Sequence, residues 1–376
     1  MKPLRLALIR QRYTPDGGAE RFVERAMATL QAQGVQITII ARAWQPQAGI
    51  KAEICNPFYI GSLWRDWGFA RAVRRLLKEK SFDLVQSHER IVGCDIYRAG
   101  DGVHREWLKQ RSRIMGFFGK LRIWLNPYHH YVKSAERNLF SSPQLRAVIC
   151  NSRMVKKEIQ HYFGVPESKL YVIYNGVDVQ AFSPELRRHR DAVRKQYSVP
   201  TEATLFLFVG SGFERKGVRQ ALEVMAQLPP NAHLIVVGRD KRVKKLKQLA
   251  DILKIEARVH FAGVQSDVKP FYGAADALVL PTLYDPFPNV VMEAMAVGLP
   301  VITSAKCGAA ELIEHGRNGY VCDALDRSAL TESMRSLMNA EVQKRMADEA
   351  RNTVLSLSQE ATTEQLLKLY HGIVGG

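Results

Sequence analysis

The sequence predicts an α/β protein made of two doubly wound parallel sheets, one in each half of the chain. Three observations carry this. Short, continuous apolar runs recur along the chain with helical stretches between them, the pattern of strands buried on both faces. Glycines fall directly after several of those runs, where a strand must turn into a helix. And 376 residues, 46% hydrophobic and 24% charged, give a globular composition with length for two buried cores.

The elements follow in order. The run 4–9 is a first strand. A loop with Gly17-Gly18, a helical pattern from Ala19 to Gln33, a stop at Gly34 and a second strand at 35–41 complete one strand–glycine loop–helix–strand unit. Further strands are expected at 83–87, 94–99 and 146–151. The second half repeats the theme at 204–210, 233–238, 258–263, 276–281 and 300–304. The halves join around 174–185, and amphipathic helices from about Ser328 to Val374 close the chain. In open parallel sheets ligands bind beyond the carboxyl ends of strands, so two such domains facing each other imply a ligand in the cleft between them.

Charge and cysteine narrow the function classes. The net charge of +17 is uneven: residues 1–175 hold 29 Lys and Arg against 14 acids, and the remainder 25 against 23. Such an excess speaks of an anionic partner: nucleic acid, a membrane surface or an acidic substrate. The five cysteines include no C-x-x-C pair and follow no secretion signal, since Arg5 and Arg10 bracket an apolar run too short for one. They read as small buried thiols in a reducing cytoplasm. No apolar run approaches a membrane-spanning length.

Three stretches carry chemistry. In "VGSGFERKGVRQ" (209–220), Arg215 and Lys216 precede a helix expected to begin near Gly217. Two cations beside a positive helix end suit a phosphate, although a solvated basic turn has the same composition. "PDGGAER" (15–21) offers backbone N–H groups to an anion, or is simply a tight turn; it is not G-x-G-x-x-G. In "YDPFPNVVMEA" (284–294), Pro288 and Asn289 start a helix that runs through Val297 to Gly298. Asp285 then lies in the strand-to-helix loop and Glu293 one turn inside. Two carboxylates can accept hydrogen bonds from sugar hydroxyls, or serve as a cap and a surface acid. Beside the cationic loop, the pair describes a ligand with phosphates at one part and hydroxyls at another: a nucleotide sugar.

With those residues in place the chain resembles the family 4 glycosyltransferases of the GT-B fold, two Rossmann-like domains. The matching pieces are "PDGGAER", "VIYNGVD" (172–178), "VGSGFERKG", "VHFAGVQSDV" (259–268), the acid-x7-acid segment and "GLPVITSAKCGAAELIEHGRNGYVCD" (298–323). Within the family the chain is most similar to the lipopolysaccharide-core glucosyltransferases, which add glucose to an inner-core heptose. The resemblance implies residues 1–175 as the acceptor-binding domain and 176–355 as the nucleotide-sugar-binding domain. It implies that 356–376 is a helix packing back on the first. Gly17 and Gly18 would approach the diphosphate, Arg215 and Lys216 would neutralise it as it leaves, and Glu293 would bind the ribose hydroxyls, with Asn289 and Val290 beside it. Gly263 and Val264 would border the base. Asp285 would hold the hexose where the family usually has glutamate, one methylene longer. Asp101 resembles an aspartate of the cleft, and His104 and His88 are further acceptor-side candidates.

The implied reaction is retaining transfer from a UDP-sugar. With no Asp-x-Asp in the sequence, no divalent metal and no other cofactor is expected. No well-placed carboxylate pair argues for a covalent glycosyl intermediate. The segment 104–133 holds seven Lys and Arg and one acid, Glu106, around Trp107, Ile114, Phe118, Leu121 and Leu125 at helical spacing. That describes a helix in a membrane interface, or a helical lid on the first domain. The expected setting is thus peripheral, on the inner face of the cytoplasmic membrane, with a lipid-linked saccharide as acceptor. The alternatives are an exopolysaccharide or O-antigen transferase with another donor, a basic nucleic-acid binder, and a nicotinamide-dependent oxidoreductase. The nucleic-acid binder would leave the second domain unexplained, and the oxidoreductase lacks its glycine fingerprint.

Overall fold

The structure is a computed structural model and describes residues 3–12, 30–31, 34–45 and 50–375. It divides into two compact units, residues 1–176 with 359–376, and residues 177–358.

The first unit holds β1 (Arg5–Ile9), β2 (Gln36–Ala41), β3 (Lys51–Ile54), β4 (Leu84–Ser87), β5 (Ile96–Arg98), β6 (Ala147–Cys150) and β7 (Leu170–Val172). All pair in parallel, in the order β3-β2-β1-β4-β5-β6-β7. Alternation along a strand sends neighbours to opposite faces. Leu6 and Leu8 of β1 join a core with Leu366, Leu369, Tyr370 and Ile373 of the last helix, Gln359–Gly375. Ala7 and Ile9 join the other core, with Phe69 and Val73 of α1 (Gly61–Glu79) and with residues of the helices beyond β5. Both faces are covered, so β1 is apolar and buried from Leu6 to Ile9.

The sequence reading treated 104–133 as one helical segment. The structure divides it into α2 (His104–Ser112), α3 (Phe117–Leu125) and the start of α4 (Pro127–Phe140). The chain breaks before Gly116, which stands at the start of α3, and again at Asn126, whose side chain caps α4 by accepting from Tyr128 N–H at 3.0 Å with proline at the first helical position. The expected helix 19–33 and Gly17-Gly18 lie outside the described residues, apart from Leu30 and Gln31.

The second unit holds β8 (Thr204–Val209), β9 (Ala232–Val237), β10 (Val259–Gly263), β11 (Ala277–Leu280), β12 (Val301–Ser304) and β13 (Gly319–Cys322). They too are all parallel, ordered β10-β9-β8-β11-β12-β13. Below the sheet, Asp276 before β11 gathers Arg194 at 2.6 Å and Arg190 at 2.8 Å, tying the entry helix Arg190–Gln196 to the strand. Sequence reading missed β3, β7 and β13. All three are edge strands of three or four residues, and β3 is largely exposed with two charged residues, too short and too polar for an apolar run to reveal. The five cysteines are free thiols, four of them buried. Burial pushes Cys94, Cys150 and Cys307 up to about 12.

Candidate functional site

In both sheets the first strand lies between the second and the fourth, so each has a switch point where successive connections run in opposite directions. It falls between β1 and β4 in the first unit and between β8 and β11 in the second. Ligand crevices open at such points, beyond the carboxyl ends of the strands.

In the second unit the loop after β8 leads into α5 (Phe213–Lys216), a single turn, and then α6 (Val218–Met225). This corrects the expectation that Arg215 and Lys216 merely precede a helix: they form the end of their own turn, and Gly217 separates it from α6. Gly217 has φ +84°, and a Cβ there would stand 2.0 Å from Pro281 O. Only glycine allows the turn to pass so close to the loop after β11. The contact is completed by the Arg215 carbonyl, which accepts from Leu283 N–H at 2.8 Å and from the Thr282 hydroxyl at 2.9 Å. From the other side Asp240, after β9, accepts from Phe213 N–H at 2.8 Å. The cationic turn is therefore anchored by three hydrogen bonds to its backbone, which is how a fixed charge is pre-positioned.

Its side chains converge on Asp285. Lys216 Nζ donates to Asp285 Oδ2 at 2.9 Å, and Arg215 lies 3.8 Å from the same oxygen. Lys216 lies across Gly210, where a Cβ would come within 2.6 Å of its Cδ. The sequence placed Asp285 in a loop, free to meet a hydroxyl. It is instead 5% exposed, and its backbone is clamped by Asp285 N–H to Lys306 O at 3.0 Å and Gly308 N–H to Asp285 O at 2.8 Å. Burial alone would raise its pKa. The charges of Lys216 and Arg215, with hydrogen bonds from Lys216 and Phe287 N–H, more than offset that and hold the carboxyl below its usual range.

Glu293 lies on α7 (Asn289–Val297), whose first residues are Asn289 and Val290. It is buried, and Tyr272, with no exposed surface, donates its hydroxyl to Glu293 Oε2 at 2.7 Å. Sequence reasoning missed Tyr272 because it sits 21 positions away on another helix. Gly263 and Val264 stand at the end of β10, two strands from β8, with Val264 62% exposed. Among the described residues no three His, Cys, Asp or Glu side chains converge as metal ligands.

The switch point of the first unit holds residues that the sequence did not single out. Gln11, after β1, donates its N–H to Glu89 Oε1 at 2.9 Å and its side-chain amide to Asp66 at 3.1 Å. Tyr128 donates to Asp66 at 2.9 Å. These groups line a pocket with Arg90, Ile91 and Tyr131. Burial raises the Glu89 carboxyl. Arg90 donates to Glu136 at 2.9 Å and reaches Asp101 at 3.5 Å, so Asp101, largely exposed, is linked to this pocket through Arg90. The signal available in the sequence was position alone: Glu89 and Arg90 follow a strand end. His104 Nε2 meets His129 Nδ1 at 3.0 Å, and burial lowers His104 to about 3. His88 accepts from the Gln86 amide at 3.1 Å, and burial lowers it well below its usual value. Both rings are engaged internally, and their burial disfavours the charged form.

Two family models together match most of the chain: Glycosyltransferase Family 4 over residues 16–181 and Glycosyl transferases group 1 over residues 189–353. This chain is a family 4 glycosyltransferase. Among its relatives, the lipopolysaccharide glucosyltransferase WaaG of Escherichia coli (strain K12) is 28% identical over 351 residues, 91% of each chain. The lipopolysaccharide core biosynthesis glycosyltransferase LpsE of Rhizobium meliloti (strain 1021) is 24% identical, covering 94% of this chain and 96% of that one. The crystal structure of WaaG, a glycosyltransferase involved in lipopolysaccharide biosynthesis, superposes with a TM-score of 0.84 at 26% identity, over 99% of this chain and 100% of that one. The family 4 glycosyltransferase described here thus has the GT-B fold.

Proposed function

We propose that this enzyme is a retaining hexosyltransferase that moves glucose from UDP-glucose to a lipid-linked saccharide, the inner-core heptose of lipopolysaccharide. The observation that carries the reading is the buried Lys216–Asp285 pair with Arg215 beside it, at the switch point of the second unit, with a second buried carboxylate, Glu293, on the helix that follows the Asp285 loop. Two anchored cations held by one carboxylate leave charge to spare for an incoming diphosphate.

In this reading the 177–358 unit takes the donor and the first unit takes the acceptor. The diphosphate meets Arg215 and Lys216, with Gly17 and Gly18 as further contacts. Asp285 accepts hydrogen bonds from the hexose, and Glu293, oriented by Tyr272, from the ribose. Asn289 and Val290 lie along the donor, and the base lies near Gly263 and Val264. The C1–oxygen bond to the leaving phosphate breaks. The acceptor hydroxyl attacks from the same face, and its proton passes to the departing phosphate oxygen. Arg215 and Lys216 stabilise the charge that develops on that phosphate, a role that side chains fill without a divalent metal. Asp101 faces the acceptor. The cationic, aromatic segment 104–133 seats the enzyme on an anionic membrane at its cytoplasmic face, where a lipid-linked acceptor is presented. No helix among the described residues is long and apolar enough to cross a membrane.

A second reading keeps the chemistry and changes the substrate: an exopolysaccharide or O-antigen transferase with another sugar. The shorter reach of Asp285 favours it. Calorimetry in EDTA across UDP-glucose, UDP-galactose, UDP-N-acetylglucosamine, UDP-glucuronic acid and GDP-mannose separates the two. Tight binding of UDP-glucose without metal supports the first; selective binding of another donor supports the second. Restoration of binding only by a divalent metal would overturn the metal-independent mechanism.

A further inference from the structure

Helix α3, "FFGKLRIWL", has no buried residue at all. Phe117, Phe118 and Trp124 are 76%, 83% and 65% exposed. A second stretch, far from it in sequence, behaves in the same way. In residues 54–67, the loop before α1 and its first two turns, Phe58 and Ile60 are 75% and 69% exposed and Trp64 is nearly half exposed. Large apolar side chains grouped this way on a folded chain mark an interaction surface.

The two stretches adjoin. Asp66 of α1, between Trp64 and Trp67, accepts the hydroxyl of Tyr128 at 2.9 Å. Tyr128 lies in the first turn of α4, three residues after Leu125, and His130 Nε2 lies 2.5 Å from Trp124 O, folding the end of α3 onto α4. The loop is no loose tail. Arg42 donates to Pro57 O at 2.6 Å and to Arg65 O at 3.2 Å, and stacks on Tyr59 at 4.4 Å. Phe58 packs edge-on against Trp64 at 6.1 Å.

The charge around this surface has one sign. From Trp107 to Ala135 there is no acid. From Ile54 to Lys78 the one acid is Asp66, already engaged by Gln11, Arg65 and Tyr128. Arg71 lies 5.7 Å over the Trp67 ring, and Lys120 and Arg122 stand on α3 itself. Amphipathic aromatic rings set among cations suit the headgroup level of an anionic bilayer.

We propose that the membrane-docking surface is bipartite, and that residues 54–67 form half of it beside α3. This rests on the membrane association proposed above for 104–133 and adds a segment that the basic stretch does not contain. Both halves insert together, and the Asp66–Tyr128 bond fixes their spacing.

The test uses the full chain with vesicles of phosphatidylglycerol and phosphatidylcholine, and vesicles of phosphatidylcholine alone. One variant is Phe58→Ser with Ile60→Ser, both in the exposed loop; another is Phe117→Ser with Phe118→Ser. Each is expected to lower vesicle partitioning by roughly tenfold or more, the loss of two inserted apolar side chains. UDP binding in solution is expected to stay unchanged. In a chain whose other tryptophans are replaced by phenylalanine, Trp64 and Trp67 are expected to shift to the blue and be quenched by brominated lipid. If only the Phe117 and Phe118 variant weakens partitioning, the bipartite surface is overturned while the 104–133 reading stands. If the wild-type chain ignores anionic vesicles, both fall. Equal partitioning onto neutral vesicles overturns the anionic requirement. A dimer in sedimentation that the Phe58 and Ile60 variant dissociates, with partitioning intact, assigns the surface to a second copy of the chain and overturns the proposal.

Discussion

Replacing Asp285 by asparagine should separate binding of the product from turnover of the donor. In the free protein Asp285 holds Lys216 at 2.9 Å and Arg215 at 3.8 Å. An arriving diphosphate must compete with that carboxylate for the same two cations. Two unit charges some 4 Å apart interact by about 4 kcal/mol at the effective dielectric of a partly open site. Most of that is offset by desolvation, so a net competition of about 1.4 kcal/mol, a tenfold change, is the reasonable scale. Asp285→Asn should therefore tighten UDP roughly tenfold, because Lys216 and Arg215 lose their internal partner. Turnover of UDP-glucose should fall by about two orders of magnitude or more, because an acceptor aimed at the hexose is lost in the transition state. Lys216→Met should do the opposite to UDP, weakening it by about tenfold to a hundredfold. The double variant should match Lys216→Met within a factor of about three, because Asp285 acts on UDP through Lys216. Calorimetry with UDP and a coupled assay of UDP release measure all four corners. UDP affinity that falls in Asp285→Asn, or effects of the two single variants that simply add in the double variant, would refute the competition.

Glu293→Ala should weaken the donor by about tenfold to a hundredfold in calorimetry, whereas Tyr272→Phe, which removes only the orienting hydroxyl, should cost severalfold in affinity and about 1 kcal/mol in stability. Gly217→Ala places a methyl 2.0 Å from Pro281 O at a left-handed backbone position, so it should lower the melting temperature by several degrees and turnover with it. His233 and His260 stack at 5.9 Å inside the second unit, with His233 Nδ1 and His260 Nε2 lacking hydrogen-bond partners among the described residues. Burial, with His260, Arg258 and Arg194 nearby, lowers His233 to about 4. Below about pH 6.5 the unfolded chain binds a proton that the folded strand refuses. Stability should therefore fall as pH drops from about 6.5 towards 4 and be flat above, and His233→Gln should flatten that slope in denaturation at a series of pH values.

The sequence by itself determined the class of fold. Continuous apolar runs such as 204–209 and 232–237 can only be strands covered on both faces, and the helical stretches between them force those strands to be parallel. It also named Arg215, Lys216, Asp285 and Glu293 as a group, because each follows the carboxyl end of a strand. It did not show what those residues do to one another. That Lys216 is spent on Asp285 rather than left free, and that Glu293 is held by Tyr272, follows from packing between elements distant in the chain. Linear spacing carries no trace of it. The same holds for Gln11, Asp66, Glu89 and Tyr128, four polar residues with no shared motif that meet because β1 and β4 are neighbours and α4 crosses α1. The exposed aromatic residues of 54–67 show the limit most plainly. In the sequence they resemble core residues, since hydropathy reports what a side chain prefers, and only tertiary structure decides whether anything in the chain is there to cover it.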